Sequence, residues 1–100
     1  MSTAVTTPDD TAAPSRPSGL TAKAAGNPRR VKLAWSASTD NVAVTGYQVY
    51  RDGVVIATVG VTSYTDTSVT RSTRYRYTVS ALDATGNESA LSSTVKVRTR

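Results

Sequence analysis

Residues 74–81 read Arg74-Tyr75-Arg76-Tyr77-Thr78-Val79-Ser80-Ala81, and this stretch decides the fold class of the 100-residue chain. Aromatic or apolar side chains alternate strictly with polar ones along it. Because successive side chains of a β-strand point to opposite faces, a period of two predicts a strand with one buried face. The stretch therefore predicts a half-buried strand, the longest and clearest in the chain.

The same alternation recurs elsewhere, clearly in three stretches and more weakly in three others. The clear ones are Val31–Trp35, Tyr47–Tyr50 and Thr94–Arg98, and the weaker ones are Leu20–Ala24, Val54–Val59 and Ser63–Asp66. Turn-forming pairs such as Asn27-Pro28 and Asp52-Gly53 separate them. No stretch has a helical period. The pattern predicts an all-β fold, a seven-stranded antiparallel immunoglobulin-like β-sandwich, with a five-stranded open barrel as the alternative.

Composition divides the chain at residue 17. Residues 1–16, MSTAVTTPDDTAAPSR, are rich in Thr, Ala, Pro and Asp and contain only Met1 and Val5 as large apolar residues. Such a segment cannot bury enough surface to offset its ordering entropy, so we predict a disordered Thr/Pro-rich linker or an artificial expression tail. Residues 17–100 are predicted to form one domain. No stretch approaches the roughly 18 apolar residues of a membrane span, so no membrane partner is expected.

Four motifs in residues 17–100 resemble those of the fibronectin type III domain. They are Pro17-Ser18-Gly19-Leu20, Val31-x-Leu33-x-Trp35, Gly46-Tyr47-x-Val49-Tyr50, and a series of Val69, Thr73-x-Tyr75 and Val79-x-Ala81. The resemblance implies that Trp35 lies in the core and that Tyr75 is the tyrosine-corner residue, whose hydroxyl bonds to nearby backbone. Val69 stands where Leu is usual, and Arg71-Ser72 replaces the usual Pro-Gly, so the turn before Thr73 departs from the family pattern.

Two loops, residues 35–47 and 83–89, look like the bacterial branch of this family, which occurs in secreted chitinases, cellulases and other polysaccharide-degrading enzymes. Such domains sit there between a catalytic domain and a carbohydrate-binding domain. The resemblance implies a non-catalytic spacer or scaffold module, extracellular and monomeric, whose partners are the flanking domains of its own polypeptide. Two alternatives remain open. One is a weak carbohydrate-binding module that uses Tyr50 and a basic sheet face, and the other is a protein-interaction or adhesion domain.

Composition argues against catalysis. The chain has no Cys and no His, which removes thiol nucleophiles, the Ser-His-Asp arrangement and the commonest metal ligand. A glycosidase pair could be drawn only from Asp40, Asp83 and Glu88, and it would need a sugar-sized groove that a small sandwich has little room to form. We therefore predict no enzyme activity, no catalytic residue and no cofactor or cofactor-binding residue.

Oxygen ligands for a cation could come from the same two loops. Asp40 and Asn41 lie in one loop, and Asp83, Asn87 and Glu88 lie in the other. Hard cations such as Ca²⁺ need several oxygens at close range, but Asp and Asn also tolerate turn geometry and bond to their own backbone. No EF-hand type of spacing is present. We therefore predict no metal site and interpret these residues as turn formers.

Net charge is +5, from 12 Lys and Arg against 7 Asp and Glu. The outward positions of the predicted strands form a basic face: Gln48, Tyr50, Arg74, Arg76, Thr78, Lys96 and Arg98. This face, with an exposed Tyr50, could meet acidic polysaccharide or nucleic acid. It could equally be a solvated face whose long charged side chains discourage edge pairing. Because one aromatic ring makes a poor platform, we favour the solvated face, with no nucleic acid partner and at most weak polysaccharide binding.

Overall fold

The computed structural model describes residues 13–26, 29–39 and 43–99, and in these ranges the chain forms two packed antiparallel sheets. The strands are β1 (Ser18–Gly26), β2 (Arg29–Ser36), β3 (Val44–Arg51), β4 (Val54–Val59), β5 (Ser63–Asp66), β6 (Arg74–Asp83) and β7 (Val95–Arg98). One sheet has the order β1-β2-β5, and the other has the order β4-β3-β6-β7. The predicted seven-stranded sandwich is confirmed, and the open barrel is wrong. The described residues form no helix long and apolar enough to cross a membrane.

Strand β6 shows why the alternating pattern produces this fold. Its inward side chains Tyr75, Tyr77, Val79 and Ala81 are all buried, whereas Arg74 and Arg76 are exposed. The core joins them to Tyr47 and Val49 of the neighbouring strand β3. It also contains three residues of β2 in the facing sheet and one residue of the loop after β5: Val31, Leu33, Trp35 and Val69. Trp35 and Tyr47 meet edge to face across the two sheets, with ring centroids 5.6 Å apart. The expectation that Trp35 is a core residue is confirmed, since only 6% of it is exposed.

The chain enters the sandwich at one pole. Ser15 donates its backbone N–H to the carbonyl of Thr39 at 2.8 Å, and the N–H of Thr39 donates to Ser15 Oγ at 3.0 Å. Thr39 lies in the loop before β3, and Val44 at the start of β3 pairs with Asp83 at the end of β6. This N-terminal pole therefore carries the loop before β3 and the loop after β6.

The chain leaves the sandwich at the opposite pole. Thr99 donates its backbone N–H to the carbonyl of Thr73 at 2.9 Å, and Thr73 directly precedes the first residue of β6. The ten residues of β6 run from this C-terminal pole to the N-terminal pole. At about 3.3 Å per residue the two poles are roughly 30 Å apart.

The predicted linker of residues 1–16 lies outside the described residues up to residue 12. Its last residues contact the sandwich, because Pro14 is buried and Ser15 bonds to Thr39. Composition could not reveal these contacts, since one proline and one serine carry no periodic signal. The domain boundary at residue 17 stays a prediction.

Candidate functional site

The Asp83 carboxylate organises the loop that follows β6. Its Oδ1 accepts the Thr85 N–H at 3.0 Å, the Thr85 hydroxyl at 2.9 Å and the Asn87 N–H at 2.8 Å. Its Oδ2 accepts the Asn87 side-chain amide at 3.0 Å. Burial works to raise the pKa of Asp83, but these hydrogen bonds from Asn87 and Thr85 outweigh it and lower that pKa to about 2. Asp83 therefore stabilises its own turn, in agreement with its interpretation as a turn former rather than a cation ligand.

Glu88 binds two hydroxyl groups from strands β3 and β6. Its Oε2 accepts the Tyr50 hydroxyl and, at 2.5 Å, the Ser80 hydroxyl. The hydrogen bond to Glu88 raises the pKa of Tyr50, and burial adds to the effect. The expectation of an exposed Tyr50 needs correction, because the ring is half-buried and its hydroxyl is tied to Glu88. A tyrosine held in this way is a poor stacking platform for a sugar ring.

Three carboxylates were candidates for a catalytic pair, and the structure describes two of them, Asp83 and Glu88. Asp83 and Glu88 serve different partners, and Asp40, like Asn41, lies outside the described residues. Within residues 13–26, 29–39 and 43–99, no three His, Cys, Asp or Glu side chains cluster closely enough to hold a metal ion. The absence of catalytic and metal-binding residues stays a prediction.

A buried polar cluster joins the two sheets, and sequence reasoning missed it. Arg51 Nη1 and the Tyr77 hydroxyl each lie 2.8 Å from Asp66 Oδ2, and the Ser68 N–H and hydroxyl donate to Oδ1 at 3.1 and 3.0 Å. Burial works to raise the pKa of Asp66, but the hydrogen bonds from Tyr77 and Arg51 outweigh it and lower that pKa below 3.8. The alternation of Tyr64 and Asp66 along β5 was the available signal, since it places the carboxylate on the inward face.

Tyr75 forms the corner that the family resemblance implies. Its hydroxyl accepts the Thr70 N–H at 2.6 Å, five residues upstream, while its ring is buried. This hydrogen bond from Thr70 lowers the pKa of Tyr75 because it stabilises the phenolate. The guanidinium of Arg51 lies over the ring, 5.3 Å from its centroid. The corner thus fixes the turn between β5 and β6 to the core.

The predicted basic face exists, and its charges concentrate on β6 and β7. Arg74 pairs directly with Arg98, and Arg76 pairs directly with Lys96. All four side chains are exposed, and we call them the basic ladder. The other predicted members of the face, Gln48, Tyr50 and Thr78, are half-buried.

A shallow groove of about 650 Å³ runs beside the basic ladder. Arg74, Arg76 and Lys96 line it together with Thr78, Leu91 and the Asp52-Gly53 turn. Both turn residues have positive φ, 53° and 84°, as a two-residue hairpin turn requires. Asp52 Oδ1 accepts the Arg76 N–H at 2.9 Å, which fixes the turn against β6. A smaller hollow of about 250 Å³ adjoins the ladder as well, and Arg74, Lys96, Val97 and Arg98 line it.

The family model for the fibronectin type III domain matches residues 15–98. The chain belongs to the fibronectin type III family. Domains of this family are generally non-catalytic. A solved fibronectin type III-like protein from Clostridium thermocellum superposes with a TM-score of 0.77 and is 31% identical, with 89% of this chain and 96% of that chain covered.

This fibronectin type III domain is also similar to parts of larger enzymes. It is 49% identical to a chitinase of Paenibacillus xylanexedens over 90% of its own length and 17% of the enzyme's length. It is 47% identical to exoglucanase B of Cellulomonas fimi over 95% of its own length and 9% of that enzyme's length. The chain therefore spans less than a fifth of either enzyme. The resemblance to domains of polysaccharide-degrading enzymes is confirmed.

Proposed function

We propose that this domain is a non-catalytic spacer in a larger polysaccharide-degrading enzyme, where it holds a catalytic domain and a carbohydrate-binding domain at a set distance. The observation that carries the proposal is where the chain enters and leaves the folded domain. Ser15 is bonded at one pole and Thr99 at the other, roughly 30 Å away along β6. A domain whose ends lie at opposite poles sits in series with its neighbours and keeps them apart.

The mechanism of such a spacer is mechanical and entropic. The packed body resists compression, and the Thr- and Pro-rich composition of the residues that precede Pro14 suits a linker that allows reorientation. Together they set the effective concentration of the catalytic domain at the surface where the binding domain is anchored. Because an insoluble polysaccharide cannot enter a cell, the parent enzyme acts outside the cell. The domain acts there as a monomer.

Two relatives at 47–49% identity, a chitinase and an exoglucanase, support this proposal. The alternative of a weak carbohydrate-binding module based on Tyr50 has less support, because that ring is half-buried and bonded to Glu88. The described loops supply no observation that favours an adhesion domain.

A chimeric enzyme tests the spacer role. A chitinase catalytic domain and a chitin-binding domain are joined through this chain, through a direct fusion, or through an unrelated β-sandwich whose ends also lie at opposite poles. We expect hydrolysis of insoluble chitin to fall severalfold in the direct fusion, with hydrolysis of soluble chitin oligosaccharides unchanged. The unrelated sandwich should restore the activity. Full activity of the direct fusion, or failure of the unrelated sandwich, would contradict a spacer role.

A further inference from the structure

We propose that the basic ladder and its groove bind an acidic polysaccharide, a linear glycan that carries carboxylate or sulfate groups. The ladder consists of the exposed side chains Arg74, Arg76, Lys96 and Arg98 on strands β6 and β7. The assignment of a glycan, rather than another polyanion, rests on the proposed function. The anion site itself rests on the geometry alone.

Like charges face each other across the two strands of the ladder. Arg74 is directly opposite Arg98, and Arg76 is directly opposite Lys96. Directly opposite side chains on one face have Cβ atoms about 4.5–5.5 Å apart, so each pair is mutually repulsive. None of the four cations forms a salt bridge with a carboxylate in the described part of the chain. No carboxylate of the described residues offsets this repulsion, and a bound anion would relieve it.

The spacing of the ladder suits a linear polymer with repeated charges. The two cationic pairs are two residues apart along each strand, about 7 Å. Arginine guanidinium groups present paired N–H donors that match the two oxygens of a carboxylate or sulfate group. An extended anionic chain lying along β6 and β7 would therefore meet one cationic pair and then the next.

The rest of the groove fits a sugar better than a base. Leu91 is 45% exposed and offers apolar surface to the C–H face of a sugar ring, while the Thr78 and Thr94 hydroxyls can bond to sugar hydroxyls. The aromatic residue that lines the groove, Tyr75, is 8% exposed and presents no ring for base stacking. The Asp52 carboxylate, which also lines the groove, is bonded to the Arg76 N–H. Because the groove presents no exposed aromatic ring, single-stranded nucleic acid is disfavoured as its ligand.

Titration calorimetry with the full chain at low salt tests the ligand class. The probes are polygalacturonate and dextran sulfate, each matched with an uncharged form of the same backbone, fully methyl-esterified polygalacturonate and dextran. We expect at least one acidic glycan to bind and both neutral forms to show no heat of binding. Polyglutamate and oligothymidylate test other polyanions. If either bound as tightly as the better acidic glycan, or if neither acidic glycan bound, the proposal would be overturned.

A pair of charge-matched variants locates the site. Arg74→Gln with Arg98→Gln removes two charges from the ladder, and Lys23→Gln with Lys32→Gln removes two charges from a directly paired, exposed position on the other sheet. We expect about a tenfold loss of affinity in the first variant and less than a twofold loss in the second. Equal losses would show attraction to net charge alone and refute the site. Thermal unfolding of both variants checks the fold. A spacer role is tested separately by the chimeric enzyme, so either proposal can fail without the other.

Discussion

The carboxylates of Asp66 and Asp83 are nearly inaccessible to solvent, and each accepts four hydrogen bonds from neighbouring groups. Asp66 accepts two hydrogen bonds at each oxygen, which uses its roughly four lone-pair positions. Asp83 accepts three at Oδ1 and one at Oδ2, and all four come from its own loop. This is the residue-scale reason why acidic residues that could be ligands in the sequence serve structure here. Asp83 satisfies its own loop, and Asp66 holds the two sheets together.

Ser72 is strained at the turn where the family has Gly. Its φ is +54°, in the left-handed region, which costs a residue with a Cβ about 1–2 kcal/mol. Part of the gain from Gly is lost to its greater freedom in the unfolded chain. We expect Ser72→Gly to raise the free energy of unfolding by about 0.5–1 kcal/mol, a few degrees in Tm. The exposed Ser93, whose φ is not positive, is the control, and Ser93→Gly should destabilise. A lower Tm for Ser72→Gly would contradict the assigned turn.

Removal of the Tyr75 hydroxyl should leave the Thr70 N–H without its partner. We expect Tyr75→Phe to lower the free energy of unfolding by about 1–3 kcal/mol, measured by urea denaturation. Tyr64 is half-buried against the core, and its hydroxyl makes no hydrogen bond within the described residues, so Tyr64→Phe is the matched control. Equal effects of the two changes would show that the corner hydrogen bond does not stabilise the fold.

At the scale of elements, the Asp66 cluster links β5 of one sheet to β3 and β6 of the other. We expect Asp66→Asn to cost about 1.5–3 kcal/mol near pH 7, as hydrogen bonds to a charged group do. Because folding lowers the pKa of Asp66, its stabilising effect is complete above the unfolded pKa near 3.8 and is lost as pH falls through the lower folded value. The difference in unfolding free energy between wild type and Asp66→Asn should therefore shrink between pH 5 and pH 2. A constant difference would contradict the assigned charge state.

In the basic ladder, unlike in the Asp66 cluster, a charge substitution should stabilise the fold. Arg98→Glu places a carboxylate directly opposite Arg74, which replaces a repulsive cross-strand pair with an attractive one. We expect the free energy of unfolding to rise by about 0.5 kcal/mol at low salt and the gain to disappear near 1 M salt. A destabilised variant at low salt would mean that the two side chains do not face each other.

Sequence periodicity located the strands because alternation is a local property of the chain. Three of the clear alternating stretches, Val31–Trp35, Tyr47–Tyr50 and Arg74–Ala81, lie within observed strands, and Thr94–Arg98 begins one residue before β7. The partners of buried polar groups could not be predicted in this way. Ser89 and Ser92, for example, accept the N–H groups of Ala81 and Val79 through their hydroxyls, beside the part of β6 that β7 does not cover. Such pairings depend on which segments the fold brings together. The alternation of side chains along one segment carries no information about its neighbours in space.

For the whole molecule, the proposed spacer role depends on where the chain enters and leaves the sandwich rather than on any single site. The N-terminal pole is tied by Ser15 to Thr39 and the C-terminal pole by Thr99 to Thr73. The sequence predicted the sandwich and, through the family resemblance, the spacer role. It could not predict the basic ladder as paired charges, because the register of β6 against β7 is a property of the folded sheet. Both proposed roles therefore depend on the folded molecule: the spacer role on where the chain enters and leaves the sandwich, and the anion site on the register of β6 and β7.

A rigid spacer requires a fixed distance between the two poles, and two spin labels placed near Ser15 and Thr99 measure it. The chain has no native cysteine, so Ala13→Cys and Arg98→Cys accept one spin label each. Pulsed electron paramagnetic resonance should give a narrow distance distribution centred at about 30 Å or more, since β6 separates the two poles by that length. A distribution centred below about 20 Å, or one without a defined maximum, would contradict a rigid spacer with its ends at opposite poles.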